Sequence, residues 1–194
     1  MAPRQTGRPG KPSRSVKVVV TGPFGAGKTS LIQTISEIAV VSTEKRVSDH
    51  SGGKKSQTTV AMDFGRIAID HDLALYLFGT PGQKRFDFMW QILAEGMLGF
   101  VVLVDAQRED SLQEAAEILA FFRDAAQVPY VVAVNKHDGD PEQAVERARS
   151  ALQVPPEVRV VACNALDRES VKTVLLELLY AVLDDLTAAS HAAV

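Results

Sequence analysis

The chain has 194 residues, 46% of them hydrophobic and 23% charged, with a formal net charge of −3. That is enough chain for one domain with its own core, and the charge balance argues against a nucleic-acid binder. A lone cysteine, Cys163, excludes an internal disulfide and fits a reducing cytoplasm, and no apolar run approaches the roughly 18–20 residues of a membrane span.

Residues 1–14 carry Pro, Gly, Arg and Lys with nothing apolar to bury, and read as a disordered basic tail. Arg4, Arg8, Lys11 and Arg14 leave the remainder near −7, since the whole chain nets −3. The tail is either a solvated leader or an arm for an acidic partner or an anionic membrane surface, which would make association with the membrane's inner face peripheral. No signal peptide, myristoylation glycine or prenylation box accompanies it. A domain over 15–188 follows, with 189–194 as a frayed end.

SVKVVVT (15–21) reads as a buried strand and KTSLIQTISEIA (28–39) as a helix. Residues 40–57 are polar and aperiodic, which predicts a long loop. TTVAMDFGRIAID (58–70) and LALYLF (73–78) read as strands joined by Asp70-His71-Asp72, and RFDFMWQILAEG as a helix. GFVVLVD (99–105), PYVVAVN (129–135) and EVRVVAC (157–163) are further strands, separated by the helices SLQEAAEILAFFRDAA and PEQAVERARSAL. Asp167 caps a last helix whose apolar face carries Val171, Val174, Leu175, Leu178, Val182 and Leu186. Continuous apolar strands alternating with helices predict an α/β fold: a six-stranded, mostly parallel sheet with one antiparallel edge strand and helices on both faces.

GPFGAGKT, Gly22 to Thr29, lies between a strand and a helix and matches the phosphate-binding G-x-x-x-x-G-K-[ST] loop, which makes this a P-loop NTPase pattern. Backbone N–H groups over Gly22, Phe24, Gly25, Ala26, Gly27 and on to Ser30 can converge on phosphate, helped by the helix N-terminus. Lys28 can reach the β- and γ-phosphates, and the Thr29 hydroxyl can ligate Mg2+. The loop alone does not choose between ATP and GTP.

NKHD (135–138) follows a strand and resembles the Asn-Lys-x-Asp base motif of GTPases. The Asp138 carboxylate can accept from guanine N1–H and the exocyclic amine, a donor pair that adenine lacks. The resemblance implies that Asn135 ties this segment to the phosphate loop, that Lys136 lies along the base and sugar, and that Asn164 and Ala165 meet the base through their backbone.

LFGTPGQKRF (77–86) resembles the Asp-x-x-Gly-Gln motif of small GTPases, with Gly82 and Gln83 in place but Gly79 where the Mg2+-linked Asp belongs. The three-residue turn at 70–72 pairs Ile69 with Leu73 and so sets Asp63 opposite Gly79, on the same sheet face. Asp63 is therefore expected to supply the missing metal-site carboxylate, against the alternative that it only faces solvent. A slip of one residue would reverse its face.

Taken together, these motifs make residues 16–186 similar to a Ras-like small GTPase. Gly79-Thr80-Pro81-Gly82-Gln83 and Thr59 leading into Asp63-Phe64 resemble the bacterial MglA type, and among these the GTPases of actinobacterial conservon-type operons. The resemblance implies GTP/GDP and Mg2+ as cofactors, Thr29, Thr59 and Asp63 around the metal, and Lys28, Thr59 and Gln83 in hydrolysis. It implies that Gly82 N–H senses the γ-phosphate, and that the loop 40–59 and the segment after Gly82 switch with nucleotide state. It also implies a roadblock-domain regulator and a sensor-kinase-like membrane protein as partners. The MglA-type arginine before the switch Thr is absent, because that position is Thr58 and none of Arg46, Lys54, Lys55 and Arg85 matches it; slow intrinsic hydrolysis follows. A nucleotide-bound scaffold that barely hydrolyses stays open, whereas a P-loop kinase or ATPase conflicts with NKHD. Asp63-Phe64-Gly65 spells a kinase motif without its companions. Phe86, Phe88 and Trp90 cannot share one helical face, so at least one is expected to be exposed. The four histidines offer no metal-ligand spacing, and Asp105 reads as a strand-ending residue close enough to consider for the nucleotide.

Overall fold

The computed structural model describes residues 14–40, 43–48, 57–82 and 86–192, with the backbone alone for 43–48, 57–61 and 192. In chain order the elements are β1 (Arg14–Thr21), α1 (Lys28–Ile35), β2 (Thr43–Ser48), β3 (Gln57–Ala68), β4 (Leu73–Gly79), α2 (Phe88–Ala94), β5 (Gly99–Asp105), α3 (Glu109–Ala125), β6 (Tyr130–Asn135), α4 (Pro141–Ala151), β7 (Arg159–Ala162) and α5 (Arg168–Ala192). The strands form one sheet in the order β2-β3-β4-β1-β5-β6-β7. The pairs β1–β4, β1–β5, β5–β6 and β6–β7 are parallel, and β2–β3 and β3–β4 antiparallel.

The α/β class and the mostly parallel sheet are as expected, but the sheet has seven strands instead of six. The extra strand is β2, inside the segment read as a loop, and it displaces β3 from the edge. Its sequence TEKRVS has no apolar alternation to announce it. A polar edge strand is specified by backbone pairing to its neighbour, here Thr43↔Met62 through Ser48↔Gln57.

Alternation along the central strands divides the core in two. Val19, Phe100, Val102 and Val104 face α2, α3 and α4. Val18, Val20, Val101 and Leu103 face α1 and α5. α5 buries Val171, Val174, Leu175, Leu178 and Val182 as predicted, but Leu186 is exposed, as the helix runs on to Ala192. Ser170 N–H donates to the Asp167 carboxylate at 3.2 Å, the predicted cap. α1 ends at Ile35, short of the predicted 39, because the Ser36 hydroxyl takes over local backbone groups: it donates to Ile38 O and accepts from Ile38 and Arg66 N–H.

Candidate functional site

The carboxyl ends of β1, β4, β5, β6 and β7 share one edge of the sheet, where the strand order reverses around β1. Ligands of open α/β sheets bind at such a point. The phosphate loop leaves β1, turning at φ 80° at Gly25 and 104° at Gly27, conformations that favour glycine. Lys28 is 7% exposed, and its ammonium donates to Gly22 O and Pro23 O, each at 2.7 Å. Burial lowers its pKa from 10.5 to about 8, against the opposing pull of Asp63 and Glu114.

β3 and β4 pair in the register derived from the turn, with Asp63 opposite Gly79. The Asp63 carboxylate lies 2.5 Å from the Thr29 hydroxyl, which donates to it. A Cβ on Gly79 would come within 3.1 Å of Asp63 Cβ and 3.3 Å of its Oδ2, so Asp63 stands in the space that a residue 79 side chain would enter. Two adjacent hard oxygen donors beside a phosphate loop fit the preference of Mg2+, and Thr29 and Asp63 are the described side chains that would hold it. Thr59 lies in β3, opposite Arg46, but its side chain is outside the described residues, as is all of Gln83. Arg85, Lys54 and Lys55 also lie outside them.

Gly82 abuts the loop, and a Cβ there would fall 2.6 Å from Phe24 N and 2.8 Å from Lys28 Nζ. The Trp90 indole Nε1–H donates to the preceding carbonyl of Pro81 at 3.3 Å. Trp90 and Phe86 are buried and Phe88 is 53% exposed, as the aromatic spacing required.

On the base side, Asn135 is 4% exposed and its amide joins three loops. Its Nδ2 donates to Ala26 O at 2.8 Å, and its Oδ1 accepts from Ala165 N–H at 3.1 Å. The expected tie to the phosphate loop is present, and a second tie reaches the loop after β7. Lys136 donates to Gly25 O at 2.7 Å and to Asp105 at 2.9 Å. A cavity of about 300 Å3 lies here, lined by Gly27, Ser30, Asn135, Lys136, Asn164 and Ala165 among others. Asp138 is not in that lining; its carboxylate accepts from Gln107 Nε2 at 2.8 Å.

Two participants carried no sequence signal. Gln107 and Arg108 follow β5, and Arg108 donates to Phe24 O at 2.9 Å while gripping Asp110 through two bonds. Their contacts cross 31 and 84 positions of chain, which no local pattern records. Asp105 ends its strand as read and is also the partner of Lys136.

Other features lie elsewhere. A larger cavity, of about 1050 Å3, opens at the amino ends of β6 and β7, at the opposite end of the strands from the phosphate loop. The β3–β4 turn brings ligand atoms of Asp70, His71 and Asp72 within 4.8 Å of one another, a grouping that the histidine spacing did not suggest. That turn too sits at the far edge, with Asp70 exposed and Asp72 half-buried.

A family model described as "Conserved hypothetical ATP binding protein" matches residues 20–185. The chain is similar to the uncharacterized protein MJ1339 of Methanocaldococcus jannaschii, 35% identical over 124 residues that cover 63% of this chain and 71% of that one. It is also similar to translation initiation factor IF-2 of Proteus vulgaris, 33% identical over 147 residues, which are 74% of this chain but 14% of the factor. Among the described residues, no helix is long and apolar enough to cross a membrane.

Proposed function

The chain belongs to this nucleotide-binding family, and from that premise we propose that it binds guanine nucleotide with Mg2+ and hydrolyses GTP slowly as a molecular switch. The family's description names ATP, but the base-side chemistry favours guanine. The observation that carries the reading is the amide of Asn135, bonded at once to Ala26 in the phosphate loop and to Ala165 after β7. This brings Asn135-Lys136-His137-Asp138 beside the phosphate loop, where the acceptor-only Asp138 complements guanine's adjacent N–H donors and finds no such pair on adenine.

In this reading Lys28 neutralises the phosphates, and Thr29 and Asp63 hold the metal. Mg2+ held by Thr29 and Asp63 would supply charge neutralisation for the bound phosphates. Gln83 orienting water, Thr59 binding the metal and Gly82 N–H meeting the γ-phosphate are carried by the resemblance to MglA-type GTPases. Losing the γ-phosphate would release the segments around Thr59 and Gly82, and exposed Phe88 would report that change to a protein partner. A roadblock-domain regulator and a sensor-kinase-like membrane protein rest on that resemblance alone, and a cytoplasmic site on the lone Cys163.

A scaffold that scarcely hydrolyses is the second reading. It is favoured by Arg108, whose guanidinium reaches the phosphate loop but is held by Asp110.

Titration of GDP, XDP and ADP in Mg2+ tests the base assignment. The wild type should prefer GDP over ADP by at least about a thousandfold, and Asp138→Asn should move the preference to XDP. An Asp138→Asn protein with unchanged GDP affinity refutes the guanine reading. Single-turnover loss of bound GTP over hours then separates the slow switch from the scaffold.

A further inference from the structure

The segment Asp105–Arg108 straps the two halves of the site together. Asp105 is 3% exposed and its carboxylate works in two directions: one oxygen takes the Lys136 ammonium at 2.9 Å, the other takes Gln107 N–H at 3.0 Å. Ala106 N–H donates to Asn135 O at 2.9 Å, and Arg108 N–H to Asp105 O at 3.3 Å. The Arg108 guanidinium then reaches Phe24 O. The backbone of Gln107 is thus held on both sides, and its exposed side chain extends to Asp138 Oδ2 at 2.8 Å. Residues 105 and 107 engage 136 and 138 in step, two apart on each segment.

We infer that Gln107 is a positioning residue for base specificity, fixing the plane of the Asp138 carboxylate before the base arrives. This rests on the guanine reading above. The terminal torsion of Asp is broad, so a carboxylate in an exposed segment rotates unless something holds it. Among the described residues, the bond from Gln107 is the one hydrogen bond that this carboxylate accepts. An ionised carboxylate offers about four lone-pair sites, so one bond to an amide leaves room for both guanine donors. Holding the acceptor in place reduces the freedom lost on binding. The benefit is greatest for a base that needs both oxygens aligned. Guanine does, through N1–H and its exocyclic amine; hypoxanthine lacks that amine and needs only one bond.

The contrast between GDP and IDP therefore isolates the role. Affinities are measured on the full chain in Mg2+ by displacement of a fluorescent GDP analogue, for wild type, Gln107→Ala, Gln107→Glu and Asp138→Asn. Gln107 is exposed, and melting curves check that the variants fold. Gln107→Ala should reduce the GDP-over-IDP preference by about fivefold to tenfold, mainly through weaker GDP binding. Gln107→Glu, which sets two carboxylates against each other, should reduce it further. Equal weakening of GDP and IDP in Gln107→Ala would reduce the strap to a structural brace and overturn the inference, as would no change in either. If Asp138→Asn binds GDP like wild type, the guanine reading itself fails and the role of Gln107 falls with it. If Asp138→Asn loses GDP while Gln107→Ala keeps the wild-type ratio, only the Gln107 inference fails.

Discussion

Replacing Asp63 by Asn keeps the shape of the side chain and removes the charge lying 2.5 Å from the Thr29 hydroxyl. The fold should survive, because Asn retains an acceptor for Thr29; a fully lost hydrogen bond to a charged group costs about 1.5–3 kcal/mol, and this change should cost less. The metal should suffer more. Loss of a partner acting from outside the coordination shell weakens metal affinity by about 10–100-fold, and loss of a direct ligand by more. The assay is the rate of GDP release against free Mg2+ set with a chelator: Asp63→Asn should shift the midpoint to at least about tenfold higher Mg2+. A second variant sharpens the test. Gly79→Asp alone restores the usual motif but has no room, since its Cβ would meet Ile32 Cδ1 at 2.9 Å and Asp63 Oδ2 at 3.3 Å. The exchange of Asp63→Gly with Gly79→Asp removes both Asp63 contacts and leaves one movable Ile methyl, so it should recover much of the Mg2+ response. A folded Asp63→Asn protein whose midpoint stays within about twofold of wild type would refute the reasoning and leave the Thr29–Asp63 bond as a structural contact.

Lys28 gives the site a pH dependence of known sign. Its pKa is lowered to about 8 by burial, and phosphate beside it would raise that value, so binding takes up a proton only above about pH 8. Nucleotide affinity should be flat below about pH 8 and then fall by up to about tenfold per pH unit, a slope that Lys28→Met should remove by difference titration. The nucleotide-free fold behaves oppositely: between about 8 and 10.5 the unfolded chain binds the extra proton, so the Lys28 contribution to stability rises with pH. Asn135→Ala strands Ala26 O and Ala165 N–H in a buried place and should cost about 2–4 kcal/mol in urea unfolding. A loss below about 1 kcal/mol would mean that the three loops are held together by other contacts.

The parts legible in the sequence are those governed by short-range rules. Val18 to Val20, Phe100 to Val104 and Val131 to Val134 are apolar on both faces because helices cover both sides of the sheet. The Asp63–Gly79 register followed from a three-residue turn, since pairing in a hairpin propagates residue by residue from its closed end. What escaped depends on partners far along the chain. β2 is a strand because β3 offers it an edge, and α1 stops where the Ser36 hydroxyl finds Arg66 N–H. Gln107 and Arg108 are ordinary polar residues at a helix start until Asp138 and Phe24 are brought beside them.

Asp63 and Gly79 show why reading a motif by linear position gives an incomplete answer. By spacing alone, the glycine is a lost metal-site carboxylate. In an antiparallel pair, however, directly opposed residues share a face as close neighbours, so a carboxylate can move to the neighbouring strand without leaving the neighbourhood of Thr29. The two positions then constrain each other. With Asp63 in place, any side chain at 79 meets its Cβ and carboxylate; with Asp63 removed, Gly79 has no atoms to offer the site. The pair acts as one unit, and changing either member alone should damage the site more than exchanging both.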